Sequence, residues 1–402
     1  MTCQTLRSSA TPKALTGWVL LDDNNLPRYW ATVWADVLQA KLKDSTRSRC
    51  LYAIDRLYQH FALLYQADVL DQLLTDCQFD ALEAGLAAFL SVLRNQAKRD
   101  GIVNSTVWAS AIRFVVDILR YLARGIDADN LKGRLENLDK LYSQLDPSPP
   151  AEPAPIRALP GIVVDDLYRI MEPLSPGNPF RTERNRWRNY FVFICALASG
   201  LRRGEVASLA SDAIQSEYDY AAEDDRSWIC VRENPYVELD PRREAPGIKN
   251  AQSRRQLPIS QDLLQINDRI ILDFTRNRSH SYLVGSQKGK PISLRQLQRI
   301  FETASTRLSP AAKRALRFRG KHSVTLHDLR HTCAVYRLKC YMESGLDLDT
   351  AVEKLRVFFG WSASSEMPRL YARAYFESVH ADVWSDKYDK IVSTLRELDG
   401  FA

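Results

Sequence analysis

Before residue 146 the apolar positions recur at the 3.6-residue period of helices that each bury one face. Asp44, Ser45 or Thr46 is placed to cap a helix whose inward stripe is Leu51, Ile54, Leu57, Tyr58 and Phe61. A second stripe runs through Leu82, Leu86, Phe89, Leu90 and Leu93. A third, opened by Asn104, Ser105 or Thr106, runs through Trp108, Ile112, Val115, Leu119 and Leu122. With the segment from Tyr29 to Leu42 these predict a compact bundle of about four helices joined by short connections.

The pattern stops in the run DPSPPAEPAPIRALP, residues 146–160, which holds six of the 18 prolines. Proline lacks the N–H that a helix interior needs, so this run is extended and semi-rigid. It predicts a tail over residues 1–20, a helical domain over 21–145, a linker over 146–160 and a second domain over 161–402. In the second domain, helical patterns from Val163 to Met171 and Asn189 to Ala198 give way to strand formers. Trp228, Cys230 and Val231 predict one strand, Gly247 to Lys249 another and Gln256 to Ile259 a third, after which helices resume. The fold class expected is mostly α with a small antiparallel sheet, α+β.

Composition adds exclusions. With 45% hydrophobic and 26% charged residues the chain is an ordinary globular one. No apolar run reaches the roughly 18 residues that cross a bilayer, and the opening MTCQTLRSSATPKALTG lacks a signal peptide's apolar core, so a cytoplasmic protein is expected. Seven cysteines (Cys3, Cys50, Cys77, Cys195, Cys230, Cys333 and Cys340) form an odd set without Cys-x-x-Cys or zinc-like spacing, which predicts reduced core thiols. A net charge of +6 permits a polyanionic partner without requiring one.

Three short stretches carry chemistry. In Ser199-Gly200-Leu201-Arg202-Arg203-Gly204-Glu205, glycines at a break between helical patterns put Arg202 near a helix start. There its fork of donors suits a phosphate, and Glu205 is within reach to orient it. In Leu326-His327-Asp328-Leu329-Arg330-His331-Thr332, His327 and Arg330 share a helix face and can converge on one anion. In Gly360-Trp361-Ser362-Ala363-Ser364-Ser365-Glu366-Met367-Pro368-Arg369-Leu370-Tyr371, Pro368 suits a helix opening, which puts Tyr371 about one turn in. Each stretch alone is compatible with a surface ion pair, a solvated helix face or a core tyrosine.

Their order, Gly-Leu-Arg-x-x-Glu, then His-x-x-Arg, then Gly-Trp and a tyrosine, resembles the signature of the tyrosine recombinase, or phage integrase, family. The resemblance is close in the catalytic half, and extends to the first half only as an architecture, a helical core-binding domain before a linker. It implies that Arg202, His327, Arg330 and Trp361 are catalytic, with Tyr371 the nucleophile and Glu205 supporting Arg202. It also implies a catalytic lysine on a turn between two strands, and Gly247-Ile248-Lys249-Asn250 followed by Arg254-Arg255-Gln256 looks like that hairpin, so Lys249 is the candidate. One departure is that Trp361 and Tyr371 stand one position further apart than is usual in the family. That leaves Tyr375, four residues on and on the same helix face, as the alternative nucleophile.

The implied activity is DNA strand cleavage and rejoining through a 3′-phosphotyrosine, with no metal or cofactor, in integration, excision or resolution by a mobile element. The implied partners are double-stranded DNA held between the two domains, further copies in a tetrameric synapse and accessory DNA-bending proteins. A phenol with an ordinary pKa near 10 must lose its proton as it attacks; His327 is the expected base and Lys249 the expected acid for the departing oxygen. No carboxylate cluster suited to two magnesium ions and no glycine-rich phosphate loop is visible. Lys313, Arg314, Arg317, Arg319 and Lys321, with Arg254 and Arg255, are expected to meet the DNA backbone. A topoisomerase-like or resolvase-like strand transferase would use the same residues. A relative that binds DNA without cutting it is the reading from another class.

Overall fold

The computed structural model describes residues 3–6, 17–101, 104–124, 129–148, 158–221, 223–237, 240–242, 246–248, 250–275, 280–373 and 375. Its chain divides into two compact units, Met1–Ala154 and Pro155–Ala402.

In the first unit β1 (Cys3–Leu6) and β2 (Gly17–Leu20) pair antiparallel with Cys3 opposite Leu20. Six α-helices follow: α1 (Tyr29–Val33), α2 (Asp44–Tyr65), α3 (Leu70–Thr75), α4 (Phe79–Asp100), α5 (Ser105–Ala123) and α6 (Asp129–Ser143), with one π-helical stretch at Trp34–Leu38 after α1. The stripes seen in the sequence are the buried faces of α2, α4 and α5. Gly85 lets α4 approach α2 closely, since a Cβ there would lie 2.2 Å from the Phe61 ring. Within residues 1–20, expected to be a tail, the described residues 3–6 and 17–20 are β1 and β2, and Cys3 and Leu20 join the core. The bundle also holds α3 and α6, which the sequence pattern did not predict. The first is too short to display a period, and the second buries Leu135, Leu138 and Tyr142 among polar neighbours.

The second unit contains α7 (Gly161–Met171), α8 (Glu183–Ala198), α9 (Arg203–Ser208), β3 (Ile214–Asp219), β4 (Asp224–Val231), β5 (Arg255–Pro258), α10 (Gln261–Phe274), α11 (Leu294–Thr306), α12 (Pro310–Phe318), α13 (Leu326–Glu343) and α14 (Leu348–Phe359). A last helical stretch covers residues 367–373. The strands form one antiparallel sheet in the order β3-β4-β5, with Ile229 opposite both Ile214 and Leu257. Two expected strands are therefore present. The third, Gly247 to Lys249, is not: residues 246–248 are irregular and Lys249 lies outside the described residues. Its place in the sheet is taken by β3, whose IQSEYD sequence keeps most side chains in solvent and so shows no apolar alternation.

Local chemistry starts the helices that matter for the site. Thr325 and Asp328 form a reciprocal capping box at the head of α13, the threonine hydroxyl accepting from the Asp328 amide at 3.2 Å and the carboxylate from the Thr325 amide at 3.0 Å. Gly360, at φ 59°, closes α14 in the left-handed conformation that suits a helix end.

Candidate active site

The chain leaves α8 through Gly200, at φ +60°, where any Cβ would stand 2.3 Å from the Phe359 ring. This turn delivers Arg202 to the start of α9. Its backbone N–H donates to Glu205 Oε2 at 2.9 Å and its guanidinium to Glu205 Oε1 at 2.6 Å. The same guanidinium donates to Ser253 Oγ at 3.1 Å and to the Gly360 carbonyl at 3.3 Å.

Glu205 is the hub, with only 1% of its side chain exposed. Arg255 donates to both its carboxylate oxygens, at 3.2 and 2.9 Å, and Arg330 stands 3.9 Å away. Burial alone would raise the Glu205 carboxyl above its ordinary value. The cations of Arg255, Arg330 and Arg202 outweigh it and hold the group down at about 2. Burial, with repulsion from Arg202, lowers Arg330 to about 9 against the pull of Glu205, so the guanidinium is charged at neutral pH.

The three arginines also close the C-terminal end of α14. Arg255 Nε donates to the Phe358 carbonyl at 2.8 Å, Arg330 to that of Phe359 at 2.8 Å and Arg202 to that of Gly360. These carbonyls have no partner within the helix and sit at its negative end, where cations are favoured. Arg330 also donates to the Gly200 carbonyl. One carboxylate and one helix end thus orient three guanidinium groups, and the cluster keeps two more positive charges than negative ones.

Gly360 is the hinge of this arrangement. A Cβ on it would lie 2.8 Å from the Gln252 carbonyl oxygen and 2.9 Å from Ser253 Cα, both backbone atoms. Gly360→Ala combines that overlap with left-handed strain, and a loss of at least about 2 kcal/mol is expected in urea unfolding. A variant as stable as the native chain would show that the backbone of 252–253 gives way.

Beyond the helix end, Trp361 is buried between two rings. It stacks on Phe359 at 4.8 Å and on Tyr371 at 5.4 Å, with interplanar angles of 14° and 16°. Tyr371 is 3% exposed. Its hydroxyl meets His331 Nδ1, and His331 Nε2 lies 2.9 Å from His327 Nε2. Tyr371 is close enough to Arg330 to interact with its charge. The phenol thus meets His331, where the sequence pointed to His327, an exposed residue one helical turn away.

Arg202, Glu205, Arg330, Trp361 and Tyr371 share this site, with His327 at its edge through His331. Tyr375 is half-buried against the same core. Arg255, expected on the DNA surface, is instead enclosed on Glu205 with 5% of its side chain exposed, because the carboxylate and the α14 carbonyls take its donors. Arg254 remains exposed and pairs with Glu233 at 3.3 Å. Arg314 and Arg317 are exposed, while Lys313 donates to the Thr306 carbonyl at 2.8 Å, Arg319 to that of Ala158 and Lys321 to Asp328.

Lys249 itself lies outside the described residues, but its chain neighbours are fixed, one in the core and one on the cluster. Ile248 is buried in the core, and Asn250 Oδ1 accepts from the Ser253 hydroxyl at 2.6 Å, which in turn accepts from Arg202. The connection from Val231 to Arg255, as far as its residues are described, has a short 3-10 turn at Ala251–Ser253 and no strand at Gly247–Ile248. Arg242 pins it by donating to the Ala207 and Ile292 carbonyls at 2.9 and 2.7 Å. Gly247 packs its carbonyl against Gly204 of α9. Sequence reasoning missed Ser253, Gly360 and His331; the signals available were the glycine after α14 and the second histidine of His-x-x-Arg-His.

A site of this kind, with arginines, a histidine pair and a tyrosine gathered at a helix end, defines a class, and residues 162–378 match the model of the phage integrase family. The chain belongs to that family, the tyrosine recombinases of site-specific recombination. Among solved structures it is similar to XerA recombinase at 14% identity, covering 88% of this chain and 97% of that one with a TM-score of 0.36. It is similar to XerH site-specific recombinase bound to difH substrate in a pre-cleavage complex at 13% identity, covering 86% and 81% with a TM-score of 0.48. The lambda integrase bound to DNA aligns at 13% identity over 84% and 91% with a TM-score of 0.40. No curated protein sequence matches the chain.

Proposed function

We propose that this protein cuts one strand of duplex DNA with the Tyr371 hydroxyl, holds it as a 3′-phosphotyrosine, and rejoins it to another strand's 5′ hydroxyl. The observation that carries this reading is the excess of two positive charges around Glu205, beside a tyrosine. A phosphodiester brings one negative charge and gains more on its non-bridging oxygens as the tyrosine oxygen adds. Arg202, with 21% of its side chain exposed, is the most accessible of the three donors, and Arg330 stands behind it. Both are already oriented by Glu205 and the α14 carbonyls, so little rearrangement is needed as charge develops. The ester keeps the bond energy, so rejoining needs no nucleotide hydrolysis.

In this reading Lys249 protonates the departing 5′ oxygen, and Arg254, Lys313, Arg314, Arg317, Arg319 and Lys321 meet DNA backbone. The helical unit and the catalytic unit each contact the duplex, and four copies join two sites in the synapse, so integration, excision or resolution is the outcome.

The test is covalent capture. Incubated with a nicked target duplex and then denatured, the protein is expected to carry a DNA adduct, and Arg202→Ala to form it at least about a hundredfold more slowly. Near-native adduct formation by that variant would remove the arginine cluster from the chemistry; DNA binding with no adduct from the native chain would favour an inactive relative. Lys249→Ala is expected to be slow on ordinary DNA and restored when the leaving oxygen is replaced by sulfur, which departs without a proton. No recovery on the sulfur substrate would withdraw the lysine as the acid.

A further inference from the structure

We infer that His331 is the catalytic base for Tyr371 and passes the proton on to His327, so that two imidazoles act in series. This rests on Tyr371 being the nucleophile. The phenol meets His331 Nδ1, and the other nitrogen of the same ring, Nε2, is 2.9 Å from His327 Nε2. A hydrogen bond between two ring nitrogens holds one hydrogen, so the tautomers are linked. With the phenol donating to Nδ1, His331 carries its hydrogen on Nε2 and donates it to His327, which carries its own on Nδ1.

As the Tyr371 oxygen bonds to phosphorus its O–H breaks and the proton goes to His331 Nδ1. The Nε2–H of His331 breaks in turn and that proton joins His327 Nε2, leaving His331 neutral in its other tautomer and His327 an imidazolium. The P–O5′ bond breaks with its electron pair on the 5′ oxygen, which takes a proton from the general acid. Rejoining runs the same two transfers backwards and restores the phenol.

Burial explains why two rings serve better than one. Tyr371 and His331 are each 3% exposed, so water is a poor proton acceptor at the phenol. A positive charge left on His331, which is buried, would be cut off from water. His327 is exposed, and a charge delivered there is solvated. Arg330, meanwhile, stabilises the negative charge developing on the phenol oxygen.

His331→Asn tests the inference because its amide oxygen can accept from the phenol in place of Nδ1 but has no second nitrogen to pass the proton on. Adduct formation in a single turnover is expected to fall at least about a hundredfold. A fluorinated tyrosine at 371, whose phenol is more acidic, is expected to recover most of the loss, which a displaced or poorly folded site would not do. Native-rate cleavage by His331→Asn, faster cleavage, or a loss that the fluorinated residue leaves unchanged would each overturn the relay. Should the variant not fold, the native protein decides: on the substrate with a sulfur leaving atom, which needs no general acid, its cleavage rate against deuterium fraction should curve, as for two protons in flight, and a straight or flat plot overturns the inference. Native protein that forms no adduct at Tyr371 sinks the nucleophile itself, an outcome distinct from all of these.

Discussion

Tyr371→Phe is expected to abolish covalent capture of DNA while leaving duplex affinity unchanged. The substitution removes one oxygen and keeps the ring that stacks on Trp361 at 5.4 Å, so the packing that positions this helix is retained. Its structural cost includes the hydrogen bond to His331, about 1 kcal/mol. Catalysis, by contrast, loses the oxygen proposed to form the ester. The measurement is an adduct assay on a nicked duplex alongside a binding titration. A residual adduct that maps to Tyr375 would move the nucleophile one turn along and account for the extra residue after Trp361.

Glu205→Gln is expected to be the most destabilising single change in the cluster. The amide keeps the shape of the side chain and one acceptor oxygen but removes the carboxylate that, among the described residues, serves Arg202, Arg255 and Arg330. Two of those guanidinium groups have 5% and 4% of their side chains exposed, so their charges would be left buried without compensation. Breaking a buried pair in this way costs about 3–5 kcal/mol. Chemical unfolding should show the loss in the transition of the catalytic unit. The gap should also depend on pH with a definite sign. The Glu205 carboxyl is depressed in the folded chain to about 2 from an ordinary 4.5, so its contribution is complete above about pH 4.5 and fades as the pH falls toward 2. Native and variant curves should converge across that window; a gap that persists at pH 2 would mean the amide has disturbed packing instead of charge.

The fold was legible wherever a helix buries one face and exposes the other. Leu51, Ile54, Leu57 and Phe61 announce α2 because their spacing is set by the helix itself. Elements without such contrast were not legible. Strand β3 is nearly all exposed, and α3 is six residues long. Arg255 shows the same limit at the site. In sequence it belongs to a basic surface run, and nothing local says that its donors will be taken by Glu205, 50 positions earlier, and by Phe358, 103 positions later.

The sequence by itself determined the inventory of the chemistry: an arginine with a glutamate three residues on, a histidine and an arginine on one helical turn, and a tyrosine one turn after a proline. These are short-range relations that backbone geometry enforces wherever the segment ends up. Only the tertiary structure decided that Arg202 and Gly360, 158 positions apart, touch, that three arginines finish α14, and that His331 takes the place expected of His327 beside Tyr371. Such meetings depend on how helices pack, and packing is fixed by the sum of many buried contacts that no local pattern records.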